Sequence, residues 1–259
     1  MQIHADNVKT ALVLPGGGAR GAFQVGVLKA IADMAPHGCS NPFPIISGTS
    51  AGAINSIVLA SGARRFRVAV AELERVWGGF HSEHVYRTDS LMMLKSSVHW
   101  FAAIVLGGMF VGTPKSLLDN SPLRSLLRRN ICFSRIQSAI DKGYLHGIGI
   151  TAAGYASARS TTFFQAVEDV VPWSRTRRNG MRQPLNLDHL MASIAVPMIF
   201  PPVTIGTEYF GDGAMRQATP FSPAIHLGAD RIMVIGVRNE SALPCLLYTS
   251  DAADDTPCV

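Results

Sequence analysis

The sequence has no apolar run long enough to cross a membrane as a helix. Its longest, WFAAIVLGGMFVG at 100–112, falls well short of the ~20 residues required. That segment reads as a buried helix, or as an interfacial or lid helix given its Trp and Phe. No basic stretch followed by a long apolar one opens the chain, so no signal peptide is read and the expected location is cytoplasmic. Cysteine is scarce as well. Cys39, Cys132, Cys245 and Cys258 show no CxxC or CxH spacing, which argues against a zinc site and a disulfide framework. Internal repeats and low-complexity linkers are missing too. With 259 residues, 47% of them hydrophobic, one sizeable core is expected, in a single domain over 8–240.

Acid is short relative to base, with 18 Asp and Glu against 23 Lys and Arg. Asp251, Asp254 and Asp255 fall in 245–259, where no Lys or Arg occurs, so residues 1–244 carry +8. Arginines cluster at Arg64, Arg65 and Arg67, at Arg124, Arg128 and Arg129, and at Arg175, Arg177, Arg178 and Arg182. Such a surface suits an anionic partner, membrane or nucleic acid. Solvated helix faces are the simpler account of any one cluster. The tail CLLYTSDAADD (245–255) resembles the translation of a sequencing adapter and has no helical or strand period. Residues 245–259 are therefore read as non-native, with the native C-terminal part missing.

What is present begins with TALVLP (10–15), a short apolar run ended by Pro, which reads as a buried strand. Val25, Leu28, Ile31 and Ala32 then recur at helical spacing. FPIISG (43–48) reads as a second buried strand and AGAINSIVLASG (51–62) as a second helix. Strand–helix–strand–helix is the order of a parallel sheet with helices on its faces. Residues 64–143 read as mostly helical. Two strands follow around a turn at ASARS, then a helix halted by Pro197. Strand and turn material leads to FGDGA (210–214), and a short helix ending at Gly228 precedes a last buried strand, DRIMVIGV.

Between the first strand and helix, Gly16, Gly17, Gly18, Ala19, Arg20 and Gly21 satisfy GxGxxG. A dinucleotide site would need an acid at the end of the next strand, but that strand ends in Gly48, Thr49 and Ser50; a P-loop would need GK[ST], which is absent. Gly48, Thr49, Ser50, Ala51 and Gly52 instead spell GxSxG at a strand-to-helix turn, the context of a nucleophile elbow. The alternative is a serine that merely caps the helix. If the two parallel strands are neighbours, ~4.8 Å apart, the N–H groups of Gly17, Gly18 and Ala51 surround an oxygen on the carbon Ser50 attacks, forming an oxyanion hole.

A serine nucleophile needs a proton acceptor. Asp212, followed by Gly213 and Ala214, is one candidate; the eight histidines supply others. His226 near the end of its helix belongs ~15 Å from the strand ends, where it suits the helix dipole instead. His189 and His146 fall in helix and strand interiors, while His84 and His99 stay open. Arg20 either steers a phosphate or developing charge, or pairs with an acid to lock the loop.

The set GGGARG, GTSAG and DGA, in this order, resembles the patatin-like phospholipases, and ASIAVPMIFPPV (192–203) is similar to the stretch before the acid in bacterial members. The resemblance covers about residues 10–237. It implies a three-layer α/β/α fold with a mostly parallel central sheet. It also implies a Ser–Asp dyad without histidine, in which Ser50 is the nucleophile and Asp212 the general base. Loop 16–21 then forms the oxyanion hole. Hydrolysis of phospholipid or lysophospholipid esters follows, with no metal or cofactor and no nucleic-acid partner, at a membrane surface such as the inner membrane. A catalytically idle, membrane-associated regulatory module of the same fold is the alternative. A free aspartate, with a pKa of about 3.9, is a weak base, so burial is expected to raise that of Asp212.

Overall fold

The computed structural model describes residues 8–79, 116–217 and 220–237. The apolar segment 100–112, His84, His99 and the tail 245–259 lie outside them. The first four elements form where the apolar runs place them: β1 (Thr10–Leu14), α1 (Gly21–Met34), β2 (Ile45–Thr49) and α2 (Ala51–Ser61). Next come α3 (Phe66–Gly78), α4 (Ser121–Asn130) and α5 (Ser134–Asp141). The strands β3 (Gly147–Gly154) and β4 (Ser160–Ala166) form the expected antiparallel pair. They are followed by β5 (Trp173–Ser174), β6 (Arg178–Arg182) and α6 (Leu187–Ser193). A hairpin of β7 (Val203–Ile205) and β8 (Glu208–Asp212), then α7 (Phe221–His226) and β9 (Arg231–Val234), complete the described residues.

All nine described strands join one mixed sheet whose main path runs β5-β6-β4-β3-β2-β1-β9. Its centre is parallel, as β1 pairs with β2 and β9, and β2 with β3. Pleating sorts the residues of β1 to two faces. Leu12 and Leu14 join the larger core with α1, α2 and α3, while Ala11 and Val13 meet Phe164, Ala224 and Leu227 in a smaller one under α7. Every residue of α2 from Ala51 to Ala60 is buried, as expected of a helix apolar on all sides. The α/β architecture with helices on both faces is thus as the sequence leads one to expect.

Two strands differ. The arginine-rich stretch around 175–182 yields β6, which reads as no strand because it lies between β4 and the two-residue β5 with only Gly180 buried. Conversely β9, expected to be buried, borders the sheet among the described residues, and Ile232 and Val234 are exposed. The arginine clusters divide. Arg67 bonds the carbonyls of Asp33 and Ala35, Arg182 those of Ala166, Val167 and Val170, and Arg124 pairs with Asp188. Arg75, Arg128, Arg129 and Arg135 instead ring a cavity of about 470 Å³ between α3, α4 and α5.

Candidate active site

The register of β3 brings the site together. Its residues Gly147–Thr151 pair with β2, the last pair being Thr49 with Thr151. Because β4 occupies the other edge as far as Ala153, the overhang of β3 beyond β2 is taken by β8, which starts with Ala152 opposite Asp212. The C-terminal ends of β2 and β8 therefore meet head to head, one register position apart. Ser50 leaves β2 and Asp212 ends β8 at that point.

Ser50 has φ 54° and ψ −126° and makes no cap bond to its helix. The capping alternative is thereby removed. Its Oγ donates to Asp212 Oδ2 at 2.6 Å, and both residues are buried, at 8% and 5% exposure. A positive φ on a residue other than glycine is strained, and neighbouring glycines make room for the turn. A Cβ on Gly52 would lie 1.9 Å from the Leu14 carbonyl oxygen, and one on Gly48 2.2 Å from Ser56 Oγ. A Cβ on Gly16 would lie 2.9 Å from that of Ser50 and 3.2 Å from that of Ala214. The start of the glycine loop, the elbow and the DGA turn are thus in mutual contact.

Asp212 Oδ1 accepts the Ala214 N–H at 2.9 Å. Burial pushes its carboxyl above the ordinary 3.8, with the bonds from Ser50 and Ala214 pulling the other way. Nearby Tyr155 is raised by its own burial and then by the Asp212 charge. In the loop, Gly18–Arg20 make a 3-10 turn, with Gly18 at φ +56°, where a side chain would be strained. The N–H groups of Gly17, Gly18 and Ala51 donate to no acceptor among the described residues.

A family model described as patatin-like phospholipase matches residues 12–225. The chain belongs to the patatin-like phospholipase family. Over 50 residues it is 52% identical to patatin-like phospholipase domain-containing protein 7 of Rattus norvegicus and of Mus musculus. That match spans 19% of this chain and 3% of each relative. Among solved structures, VipD from Legionella pneumophila is similar with a TM-score of 0.52 and 14% identity. That alignment covers 87% of this chain and 49% of VipD, about half its length. The similarity to VipD is one of fold.

Within this patatin-like site, histidine is absent from the Ser50–Asp212 pair. His226 does close its helix, but it stacks on Trp173 at 4.6 Å. Its burial, then Arg175 and Arg178, lower its pKa, which disfavours the charged form that a partner of the helix dipole would need. His189 caps its own helix through a bond from the Asn186 N–H to Nδ1, and burial lowers it to about 4. His146 falls just before β3, half-buried, and burial lowers its pKa first. Arg20 has no acidic partner among the described residues, and its guanidinium reaches the Val237 carbonyl at 3.4 Å. Ala19 is exposed, whereas Gly21 is buried under the Trp77 ring, which a Cβ would meet at 2.7 Å.

Sequence reasoning missed Ser193. Its hydroxyl donates to the Thr151 carbonyl at 2.7 Å and accepts the Ser50 N–H at 3.0 Å. Two residues later the Ala195 carbonyl accepts the Asp212 N–H at 2.8 Å. The end of α6 thus fastens both members of the pair. Its only signal was membership of the ASIAVP stretch, which the family resemblance marks without assigning a job. Among the described residues no group of three or more His, Cys, Asp or Glu is arranged to hold a metal ion, and no helix is long and apolar enough to cross a membrane.

Proposed function

We propose that this patatin-like chain is a serine acyl hydrolase that cleaves carboxylic esters of phospholipids or lysophospholipids through a Ser50–Asp212 dyad. The observation that carries the reading is the 2.6 Å bond between two buried groups, a hydroxyl on a strained turn and a carboxylate whose pKa is raised. Raising that pKa makes Asp212 a better proton acceptor.

In the reaction, Ser50 Oγ attacks the ester carbonyl carbon and its proton passes to Asp212 Oδ2. The carbonyl oxygen takes the negative charge, facing the N–H groups of Gly17, Gly18 and Ala51. Collapse expels the alcohol, which takes the proton from Asp212 and leaves an acyl-Ser50 ester. Water then attacks that ester and gives a proton to Asp212. The proton returns to Ser50 as the carboxylic acid departs. Each cycle consumes one water and restores both side chains.

Lipid is the substrate class favoured by the family and by exposed Met198, Ile199 and Met215. The first two follow the α6 end that fastens the pair, and Met215 follows the DGA turn, so they give an acyl chain an apolar approach. Peripheral docking on a membrane is part of the same proposal. The test is labelling with a fluorophosphonate probe beside hydrolysis of p-nitrophenyl esters and a phospholipid panel. Wild type is expected to label at Ser50 and turn over; Ser50→Ala is expected to do neither. Hydrolysis that survives in Ser50→Ala overturns the reading.

A further inference from the structure

Behind the glycine loop lies a chain of buried amides outside the three motifs. Trp77, in the last turn of α3, donates its Nε1–H to Asn55 Oδ1 at 2.7 Å. Asn55 Nδ2 donates to the Gly21 carbonyl at 3.1 Å and to Gln24 Oε1 at 2.9 Å. Gln24 Nε2 donates to the carbonyls of Pro15 at 2.9 Å and Ile235 at 3.2 Å. Asn55 and Gln24 are both fully buried.

The direction of this chain is dictated by its first member. An indole N–H only donates, so the oxygen of Asn55 must face Trp77 and its NH₂ must face away. Gln24 then receives a hydrogen on its oxygen, which turns its own NH₂ outward. Both hydrogens of each amide are used, and neither amide can flip without burying an unmatched donor. The chain ends on the carbonyl of Ile235 and on those of Pro15 and Gly21, which flank loop 16–20 on its two sides. Those carbonyls are held toward the core, while the N–H groups of Gly17 and Gly18 donate to no acceptor among the described residues. A network serving the core alone would have no need to reach both ends of one exposed loop.

We propose, resting on the acyl-hydrolase reading above, that Gln24 and Asn55 are positioning residues for the oxyanion loop, oriented by Trp77. They touch no substrate; they set where Gly17 and Gly18 direct their N–H groups. Loss of one oxyanion donor in a serine hydrolase lowers kcat by roughly 10²–10³, and a loop left out of alignment loses part of that.

The experiment compares Gln24→Met, Asn55→Ala and Trp77→Phe with wild type and Ser50→Ala. It reads kcat and KM on a soluble p-nitrophenyl ester and the rate of fluorophosphonate inactivation, per folded molecule and well below each variant's Tm. The amide variants are expected to lose about tenfold or more in kcat, with KM within twofold and the pH profile unmoved. Inactivation should slow in parallel. Trp77→Phe, which deletes the donor together with the indole edge that lies over Gly21, is expected to lose about threefold. Wild-type kcat and labelling rate in the folded amide variants overturn the proposal, as does wild-type kcat in Trp77→Phe should neither amide variant fold. Wild type that fails to label, or Ser50→Ala that still hydrolyses ester, sinks the acyl-hydrolase reading instead, so the two failures are told apart.

Discussion

The hydroxyl of Ser50 and the carboxylate of Asp212 reach the same point from two unlike halves of the sheet. The hydroxyl comes from the parallel half, β1–α1–β2–α2, where its place is set by packing. Ser50 sits at φ 54° because the glycines at 48 and 52 let helix and strand ends touch. The carboxylate comes from the antiparallel additions, where Asp212 has an ordinary φ of −55°, donates its N–H to the α6 end and accepts the Ala214 N–H of its own turn. One side of the pair is fixed by shape, the other by polar contacts. They should therefore fail in different ways.

The largest effect is expected on the side held by shape. In Gly52→Ala the new methyl would meet backbone at 1.9 Å, and neither Leu14 nor the first turn of α2 can give way without parting β1 from its helix. A loss above about 4 kcal/mol is expected, read as little soluble folded protein or a collapsed urea midpoint. Gly206→Ala in the β7–β8 turn is the contrast. There a Cβ meets nothing within 4 Å and only the φ of +61° resists, so the cost should stay near 1 kcal/mol. Equal costs at the two glycines would erase the distinction.

Asp212→Asn is next, and it should separate activity from stability. Removing the acceptor is expected to cut kcat by about 10²–10⁴. Stability should go the other way. The folded carboxyl binds its proton more tightly than the unfolded one because burial raises its pKa above 3.8. As pH rises from 3.8 through the folded value, the native state therefore holds more protons than the unfolded state and stability falls. Asn carries no such penalty. At neutral pH the variant should melt higher than wild type, and the gap should close below pH 4. His189, lowered to about 4, costs the native state stability progressively as the pH falls from 6.5 to 4, but in both proteins alike, so the difference isolates Asp212. In wild type the acid limb of kcat should lie above the usual carboxylate range, since a protonated Asp212 accepts nothing. A variant less stable than wild type at pH 7 would mean that the Ser50 and Ala214 bonds outweigh burial.

How far this was legible in the sequence follows the same division. The β1–α1–β2–α2 run could be read because each decision is local, an apolar run closed by Pro15 or by Gly48. The glycine and DGA motifs also announce themselves. What brings them together does not, since the overhang of β3 that seats β8 is a matter of register across 162 residues between Ser50 and Asp212. Ser193 and the amides of Gln24 and Asn55 are common residues inside helices, and their partners lie 143 and 31 positions away. The charged strand β6 hid for another reason. It is held by backbone pairing with β4 and β5, and its clearest mark, Gly180 beneath the Trp173 ring, makes sense only after β5 and β6 are paired.

The smallest effect tests whether the two halves are independent. Ser193 belongs to the antiparallel half, yet its hydroxyl accepts the Ser50 N–H and donates to the Thr151 carbonyl. Ser193→Ala leaves both groups buried without that partner, which should cost about 1–3 kcal/mol and lower Tm by a few degrees. Combined with Asp212→Asn, it should not act additively, because both changes release the same strained serine from opposite sides. A coupling of about 0.5 kcal/mol or more is expected in the double-mutant cycle. Additivity within about 0.3 kcal/mol would mean that glycine packing alone holds Ser50, and that the polar half of the site delivers its carboxylate to a turn already complete.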